Sequence, residues 1–199
     1  ATWRPTLPVT LTPHIDQLYR EAIRLVDYHV APTCSPTRGA LQTGHWTNRT
    51  GVWHTIMGRS IMHKDEVTLG DVFTAGGYRT AMFGKWHLGY HRKFNPIHHG
   101  FDRFRGYVSG NVDYISHFDR MGIADWWDRD RLVPEAGYST HLITRHAVAF
   151  IRSQAQGSPK KPFCLYVAHE CPHSPYQGPG DKPVRSLGKG NLKGAARND

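Results

Sequence analysis

The chain has 199 residues and a formal net charge of +9, and 39% of its residues are hydrophobic. That length suits one globular domain, and no apolar run approaches the roughly 20 residues that a membrane-spanning helix needs, so we expect no membrane span. The positive charge favours an acidic partner, but there is no zinc finger, recognition helix or RNA-binding signature, so we predict a small or polymeric anion and no nucleic acid.

The first predicted element is a helix over residues 12–28, which Thr12 and Pro13 open and which apolar residues follow at helical spacing. Residues 28–30 are apolar enough for a short strand, and the chain then turns into Cys34. A strand, a turn and a helix with a reactive residue at the turn form the usual α/β active site, at the carboxyl end of a strand.

The segment CSPTRGALQTG at residues 34–44 predicts a short helix with a reactive residue at its N-terminus. Ser35 suits the N-cap and Gly44 a left-handed end. Cys34 would lie near N–H groups that favour an anion, with Arg38 on the same helical face four residues later. A nucleophile, an arginine and a helix N-terminus make an oxyanion site, whereas the alternative is a cysteine that is only a small buried residue.

Residues 45–66 lack a clean period and predict a loop over the face of the site. Residues 67–75 show helical spacing, which the two following glycines end, and residues 78–83 predict a strand.

The segment GKWHLG at residues 84–89 follows that strand. Lys85 and His87 are two residues apart, so in an extended chain they point to the same side, at the sheet edge where we also expect Cys34. The alternative is a surface lysine and a loop histidine.

These two segments resemble the signatures of the type I sulfatases. Residues 34–44 meet every defining position of Cys-x-Pro-[Ser/Thr]-Arg followed by Leu-x-Thr-Gly, and residues 77–89 meet Gly-Tyr-x-Thr-x-x-x-Gly-Lys-Trp-His-Leu-Gly. The resemblance covers roughly residues 12–179. It implies an α/β fold: a partial, alkaline-phosphatase-like sulfatase domain over residues 1–179, in which a mostly parallel sheet is flanked by helices.

Residues 99–117 look most like the arylsulfatase B branch, the N-acetylgalactosamine-4-sulfatase type. We expect Phe101 and Phe104 in the core and Ser109 and Asp113 near the pocket. The alternative for this segment is a packed loop with aromatic anchors.

Two interpretations stay open for residues 119–137, a loop at the lip of the substrate site or an insertion folded on itself. Residues 138–156 then predict a helix and residues 162–168 a buried strand. His173 follows in a His-x-Pro context that resembles the family's active-site histidine, although a histidine between prolines is more often a loop residue.

The three cysteines predict no disulfide framework and no paired-cysteine zinc site. We expect Cys164 in the core and Cys171 as an unpaired neighbour of the site. Residues 180–199 are basic and rich in glycine and lysine, so we expect a disordered tail. No signal peptide is visible, and the resemblance implies a fragment that is incomplete at both ends.

The resemblance implies hydrolysis of sulfate esters through formylglycine, an aldehyde that a formylglycine-generating enzyme makes from Cys34 during maturation. The hydrated aldehyde would attack sulfur, while Arg38 and Lys85 stabilise charge. His173 would lie near the leaving oxygen, and His87 would act as the base that expels sulfate.

By the same resemblance, Lys85, His173 and Ser109 would bind a sulfated carbohydrate or an aryl sulfate. The family also implies calcium, or else magnesium, with residue 34 as formylglycine giving one metal ligand. Calcium takes six to eight oxygens, and the family's paired aspartates and its Asp-Asn pair have no counterpart here. We therefore predict that this part of the protein alone binds calcium poorly and hydrolyses little substrate.

Two other functions stay open at this point. A phosphate-ester or phosphonate hydrolase of the same superfamily can share the metal core and even formylglycine. An inactive anion-binding fragment would instead keep Cys34 as a thiol. The resemblance further implies export to the periplasm, the cell exterior or the lysosome.

Overall fold

The computed structural model describes residues 12–55, 59–157 and 160–190. The helices are α1 (Pro13–Glu21), α2 (Cys34–Thr43), α3 (Leu69–Ala75) and α4 (Ser139–Gln156). The strands are β1 (Arg79–Lys85), β2 (Arg103–Tyr107), β3 (Trp127–Asp128), β4 (Arg131–Leu132) and β5 (Phe163–Ala168). The chain divides into two compact units, residues 1–30 and residues 31–199.

The described part of the first unit contains α1, which is shorter than the sequence predicts. The helix ends at Glu21 rather than at residue 28, and none of its residues is buried. Ile23 and Val26 are 96% and 94% exposed, so the apolar periodicity has no packing surface to continue the helix. The predicted strand at residues 28–30 is also wrong, because no described strand pairs with these residues and a strand needs a ladder partner.

One five-stranded sheet, in the order β4-β3-β2-β1-β5, organises the second unit. β1 lies between β2 and β5 and pairs in parallel with both. The two-residue strands β3 and β4 extend the sheet beyond β2 in antiparallel pairs, and α3 and α4 pack against β1. The mostly parallel sheet flanked by helices is thus confirmed, and the carboxyl ends of β1, β2 and β5 meet at one edge.

Gly84 determines how closely β5 approaches β1. Its φ is +107°, and a Cβ at this position would lie 2.1 Å from the carbonyl oxygen of Ala168. Only glycine fits such a backbone and such a contact. The close pairing brings Lys85, the last residue of β1, beside the turn that follows β5.

Side chains of β1 alternate between two apolar clusters, because successive strand residues point to opposite faces of the sheet. Met82 packs in one cluster, and Ala81 and Phe83 in the other. The first cluster includes Phe101 and Phe104, whose core positions are confirmed. The second cluster includes the apolar face of α4.

The predicted helix ends are partly right. Gly44 ends α2 with φ +70° and donates its N–H to Ala40 O at 2.8 Å, so the left-handed end is confirmed. The N-cap is Thr33 rather than Ser35, because Thr37 N–H already bonds to Thr33 O at 3.2 Å. Cys34 is therefore the first helical residue and not a residue before the helix.

The predicted elements between residues 45 and 85 differ from the structure only at their limits. The described part of residues 45–66 is irregular apart from one 3-10 turn, Thr47–Arg49, as expected of a loop. Thr68 opens α3 with a capping box in which its side chain accepts from Asp71 N–H. β1 extends two residues beyond the predicted strand, to Lys85.

Most of the segment 119–137 is folded on itself, whereas Asp119, Arg120 and Met121 at its start line the cavity described below. Trp126 is 2% exposed, its ring lies 4.5 Å from the ring of His117, and its Nε1 donates to Glu135 at 2.8 Å. Trp127 Nε1 donates to Asp125. Both tryptophans therefore serve internal packing, and neither is a sugar-stacking residue at a lip.

The prediction of a buried strand at residues 162–168 is wrong in its burial. Among the described strands, β5 lies at one end of the sheet, and its middle residues are only half-buried. Cys164 is accordingly half-buried rather than a core residue. An apolar run alone does not distinguish an edge strand from a central strand.

Residues 180–190 have defined positions, which differs from the disorder expected of them. Val184 N–H and Arg185 N–H both bond to Asp113, at 2.6 and 3.0 Å. Arg185 is only 3% exposed. The composition of the segment predicted disorder, because composition carries no information about such specific contacts. The rest of the predicted tail, residues 191–199, lies outside the described part of the chain. Across the described residues, no helix combines the length and apolarity that crossing a membrane requires.

Candidate active site

One cavity of about 320 Å³ lies between the N-terminus of α2, the carboxyl end of β1 and the turn after β5. That volume lies at the small end of the range for small-molecule sites, roughly 300 to 1,000 Å³. Its walls are formed by Cys34, Thr55, His87, Tyr90, Ser109, Gly110, Asn111, Asp119, Arg120, Met121 and His173. Four residues singled out in the sequence, namely Cys34, His87, Ser109 and His173, thus share this cavity.

Cys34 and His87 are in direct contact, with Sγ 3.3 Å from Nδ1. His87 follows β1 with φ +59°, so the extended geometry assumed for Lys85 and His87 is wrong. Both side chains nevertheless lie near Cys34, and Lys85 is close enough for its charge to interact with that residue. Lys85 and His87 are almost fully buried, at 3% and 2% exposure.

Arg38 lies behind Cys34 rather than on the cavity wall. Its Nη1 donates to Lys85 O at 2.7 Å and lies 3.2 Å from the hydroxyl of Tyr166. The guanidinium therefore joins α2 to the ends of β1 and β5, as the helical spacing from residue 34 allows. Like Arg38, Lys85 is absent from the cavity wall itself.

The cations of the site influence each other's protonation. Burial lowers the pKa of Lys85, and the charge of Arg38 adds to this, while Cys34 and Glu170 oppose it. Burial also lowers the pKa of His87 well below its usual value, and the charges of Lys85 and Arg38 add to the effect. A neutral imidazole at neutral pH can accept a proton.

His173 approaches the cavity from the turn after β5. Its Nδ1 lies 3.0 Å from Ser174 O and 3.5 Å from Asn111 Nδ2. Tyr114 holds the backbone of His173 through a hydroxyl that donates to His173 O at 2.8 Å. Burial lowers the pKa of His173, and the charges of Lys85 and two arginines add to this.

Ser109 and Asp113 differ in their relation to the cavity. Ser109 lies on the wall, where its hydroxyl donates to Asn111 O at 3.0 Å. Asp113 is fully buried away from the wall and accepts from Ile115 N–H and Ser116 N–H. Asp113 thus shapes the loop, and it is not among the residues that line the cavity.

Sequence reasoning missed two buried carboxylates that support the site. Asp125 accepts from Val108 N–H and Ser109 N–H, at 3.0 and 2.8 Å, and so fixes the wall that carries Ser109. Glu170 accepts from Val112 N–H at 2.9 Å, and burial raises the pKa of its carboxyl well above the usual value. Their signal is weak in the sequence, because an isolated acidic residue in a loop is normally exposed.

The described residues around Cys34 do not by themselves fit a calcium ion. The neighbours of Cys34 are an imidazole, an ammonium and, behind them, a guanidinium. In the described ranges no three histidine, cysteine, aspartate or glutamate residues come together as metal ligands would. Calcium requires six to eight oxygen ligands, which these neighbours of Cys34 do not supply.

Comparison with known sequences identifies one family. The Sulfatase family model matches residues 6–195 of this chain. Mouse arylsulfatase J is 36% identical over 184 residues, which is 85% of this chain and 30% of that protein. N-acetylglucosamine-6-O-sulfatase of Bacteroides thetaiotaomicron is 30% identical over 163 residues, 81% of this chain and 26% of that protein.

Solved structures show the same fold. One in complex with its substrate D-glucosamine-2-N,6-O-disulfate superposes with a TM-score of 0.67 at 29% identity, over 83% of this chain and 30% of that chain. A second, from glycosaminoglycan metabolism by Bacteroides thetaiotaomicron, has a TM-score of 0.67 at 28% identity, over 84% of this chain and 38% of that chain. The chain therefore spans 26 to 38% of the length of these relatives.

Proposed function

Because this chain belongs to the sulfatase family, we propose that it carries the nucleophile and the cationic half of the active site of a sulfuric ester hydrolase of the arylsulfatase type. The observation that carries the proposal is the contact of Cys34 with His87 at the N-terminus of α2, beside the buried charge of Lys85. A nucleophile at a helix N-terminus, facing fixed cations, suits a reaction that develops negative charge.

The nucleophile of this proposal is formylglycine, made by oxidation of Cys34 by a formylglycine-generating enzyme. One hydroxyl of the hydrated aldehyde loses its proton and attacks sulfur, the bond from sulfur to the alcohol oxygen breaks, and the alcohol oxygen takes up a proton as it leaves. The sulfate is then held on residue 34. Loss of the proton from the second hydroxyl re-forms the aldehyde and expels sulfate, so water need not attack sulfur.

Each remaining residue has one role in the proposal. Lys85 stabilises charge on the oxygens at residue 34 and on the sulfate, and Arg38 supports it from behind. His87 is the base that removes the proton of the second hydroxyl, which suits an imidazole whose pKa burial keeps well below its usual value. His173 and Ser109 face the cavity, where we assign His173 to the leaving oxygen and Ser109 to substrate binding.

The substrate class we propose is a sulfated sugar, with aryl sulfates as convenient substitutes. Support comes from the N-acetylglucosamine-6-O-sulfatase relative and from the similar structure that holds a glucosamine disulfate. The net charge of +9 would favour the approach of such anions. Calcium, if used, would take residue 34 as one oxygen ligand and require its other ligands from residues other than those described.

Turnover of a matched aryl sulfate and aryl phosphate by the full-length protein tests the proposal. We expect a higher kcat/KM for the sulfate, whereas preference for the phosphate would assign the site to a phosphate-ester hydrolase.

By the same family resemblance we propose that the protein is exported to the periplasm, the cell exterior or the lysosome. Fractionation of expressing cells checks this location.

A further inference from the structure

Arg185 is a buried cation in a segment whose composition suggested disorder. Its side chain is 3% exposed. Its Nη1 donates to Asn111 Oδ1 at 2.8 Å, across 74 residues of sequence. The carboxylates of Glu170 and Asp113 supply nearby negative charge, so the guanidinium is compensated as a buried cation must be.

The backbone of the same segment holds the loop that forms one wall of the cavity. Asp113 accepts from Arg185 N–H at 3.0 Å, and Ser116 Oγ donates to Arg185 O at 2.8 Å. Further along, Gly188 N–H bonds to Gly122 O at 2.9 Å. Hydrogen bonds from residues 184–188 thus hold the segment from Asn111 to Gly122, which forms this wall, in place.

The guanidinium also determines which way the amide of Asn111 faces. A guanidinium only donates hydrogen bonds, so the amide must present Oδ1 to Arg185. The Nδ2 group is then turned towards the ring of His173, 3.5 Å from Nδ1. Because Nδ1 already donates to Ser174 O at 3.0 Å, the two groups pack against each other without a hydrogen bond. A chain of contacts therefore runs from Arg185 through Asn111 to His173 on the cavity wall.

We propose that Arg185 is a positioning residue of the candidate active site, which fixes the amide of Asn111 and through it the side of the cavity that His173 faces. The inference adds a residue to the proposed function, and the kinetic part of the test described below rests on that function. Arg185 does not line the cavity and is not assigned any contact with substrate.

The charges that face His173 make this role measurable. Burial lowers the pKa of His173, and the positive charges of Lys85, Arg120 and Arg185 add to that effect, while Ser174 O opposes it. Removing one of the cations should therefore raise the pKa of the ring. A rise in this pKa tests whether the charge of Arg185 reaches the ring, and the kinetic coupling with Asn111 tests whether Arg185 acts through the amide.

The test uses Arg185→Met in the full-length protein, with Lys182→Met as the matched control. Both substitutions remove one positive charge from the same segment, but Lys182 is exposed. We expect the pKa of His173, measured by NMR of the labelled ring, to rise in Arg185→Met and to stay unchanged in Lys182→Met. An unchanged pKa in folded Arg185→Met would overturn the inference.

The kinetic arm asks whether Arg185 acts through Asn111. We expect Arg185→Met to lower kcat on the order of tenfold or more, with a smaller change in KM. The double variant with Asn111→Ala should lose little beyond the larger single loss, because the two residues act as one unit. Losses that multiply independently would overturn the inference. Absence of any sulfate or phosphate turnover in the wild type would instead refute the proposed function, and the His173 titration would still test whether Arg185 acts on the ring.

Discussion

Arg38 ties the helix that begins at Cys34 to the strand that ends at Lys85. One guanidinium nitrogen meets both Lys85 O and the hydroxyl of Tyr166. The residue thereby fixes the distance between the nucleophile and the cation beside it. Its effect on catalysis would be exerted through Lys85, which the backbone bond holds at the sheet edge.

We predict that Arg38→Ala lowers kcat by on the order of 100-fold, because the support of Lys85 is lost. The family resemblance adds that the maturation enzyme reads Cys-x-Pro-x-Arg, so modification of Cys34 should fail as well. Steady-state turnover of an aryl sulfate and the modified fraction of residue 34 measure the two effects. Tyr166→Phe is the control, since it removes only one partner of Arg38, and full activity in Arg38→Ala would refute the role.

The close pairing of β1 with β5 requires a glycine at position 84. Gly84→Ala would drive a methyl group into Ala168 O and impose an unfavourable positive φ. We expect a loss of stability on the order of 3 kcal/mol, measured by urea unfolding. Gly180→Ala is the matched control, because no atom lies within 4 Å of a Cβ there. Equal stability of the two variants would show that β1 and β5 can separate without cost.

The insertion and α4 are joined by Glu135. Its carboxylate accepts from Trp126 Nε1 at 2.8 Å and Arg145 Nη2 at 2.6 Å, and His146 Nε2 lies 2.9 Å away. Burial opposes ionisation, but these partners together hold the pKa of Glu135 below its usual value. A lowered carboxyl pKa stabilises the fold above the unfolded-state pKa, and that contribution is lost as pH falls through the folded-state pKa.

We therefore expect Glu135→Gln to destabilise the fold by about 1 to 3 kcal/mol near pH 7 and by less at a pH below the lowered folded-state pKa. Urea unfolding at the two pH values measures this. Asp128→Asn is the control, since Asp128 is half exposed and its ion pair with Arg105 is longer, at 3.4 Å. A Glu135→Gln effect that is independent of pH would show that the carboxylate charge contributes nothing.

The elements also show what sequence alone could predict. The interiors of α2, α3, α4, β1 and β5 followed from periodicity and from glycine and proline positions, because those signals are local. The end of α1 and the burial of Cys164 did not, because each depends on which surface packs against the element. The sequence did not predict the roles of Asn111 and Arg185 for the same reason, because their contact joins residues 74 positions apart.

For the molecule as a whole, the likeness to solved structures confirms the partial sulfatase fold that the two motifs implied. The motifs begin 43 residues apart, at Cys34 and Gly77, and the contact of Cys34 with His87 at 3.3 Å joins them in the structure. The roles of the site residues stay predictions.

The net charge of +9 should assist the approach of a sulfated substrate over the whole surface. We expect kcat/KM to fall as ionic strength rises from about 0.01 M to 0.15 M, with little change in kcat, because screening acts on encounter. A substrate with two sulfates should lose more than one with a single sulfate. Equal salt dependence of the two would rule out steering by the protein's charge.

The proposed chemistry depends most on the oxidation of Cys34, and the mass of the peptide that contains it is the most direct test. The protein should be expressed with and without a formylglycine-generating enzyme, digested, and analysed by mass spectrometry. We predict a peptide whose CH₂–SH group has become an aldehyde only when that enzyme is present. An unmodified thiol at residue 34 in protein that still hydrolyses sulfate esters would contradict the account.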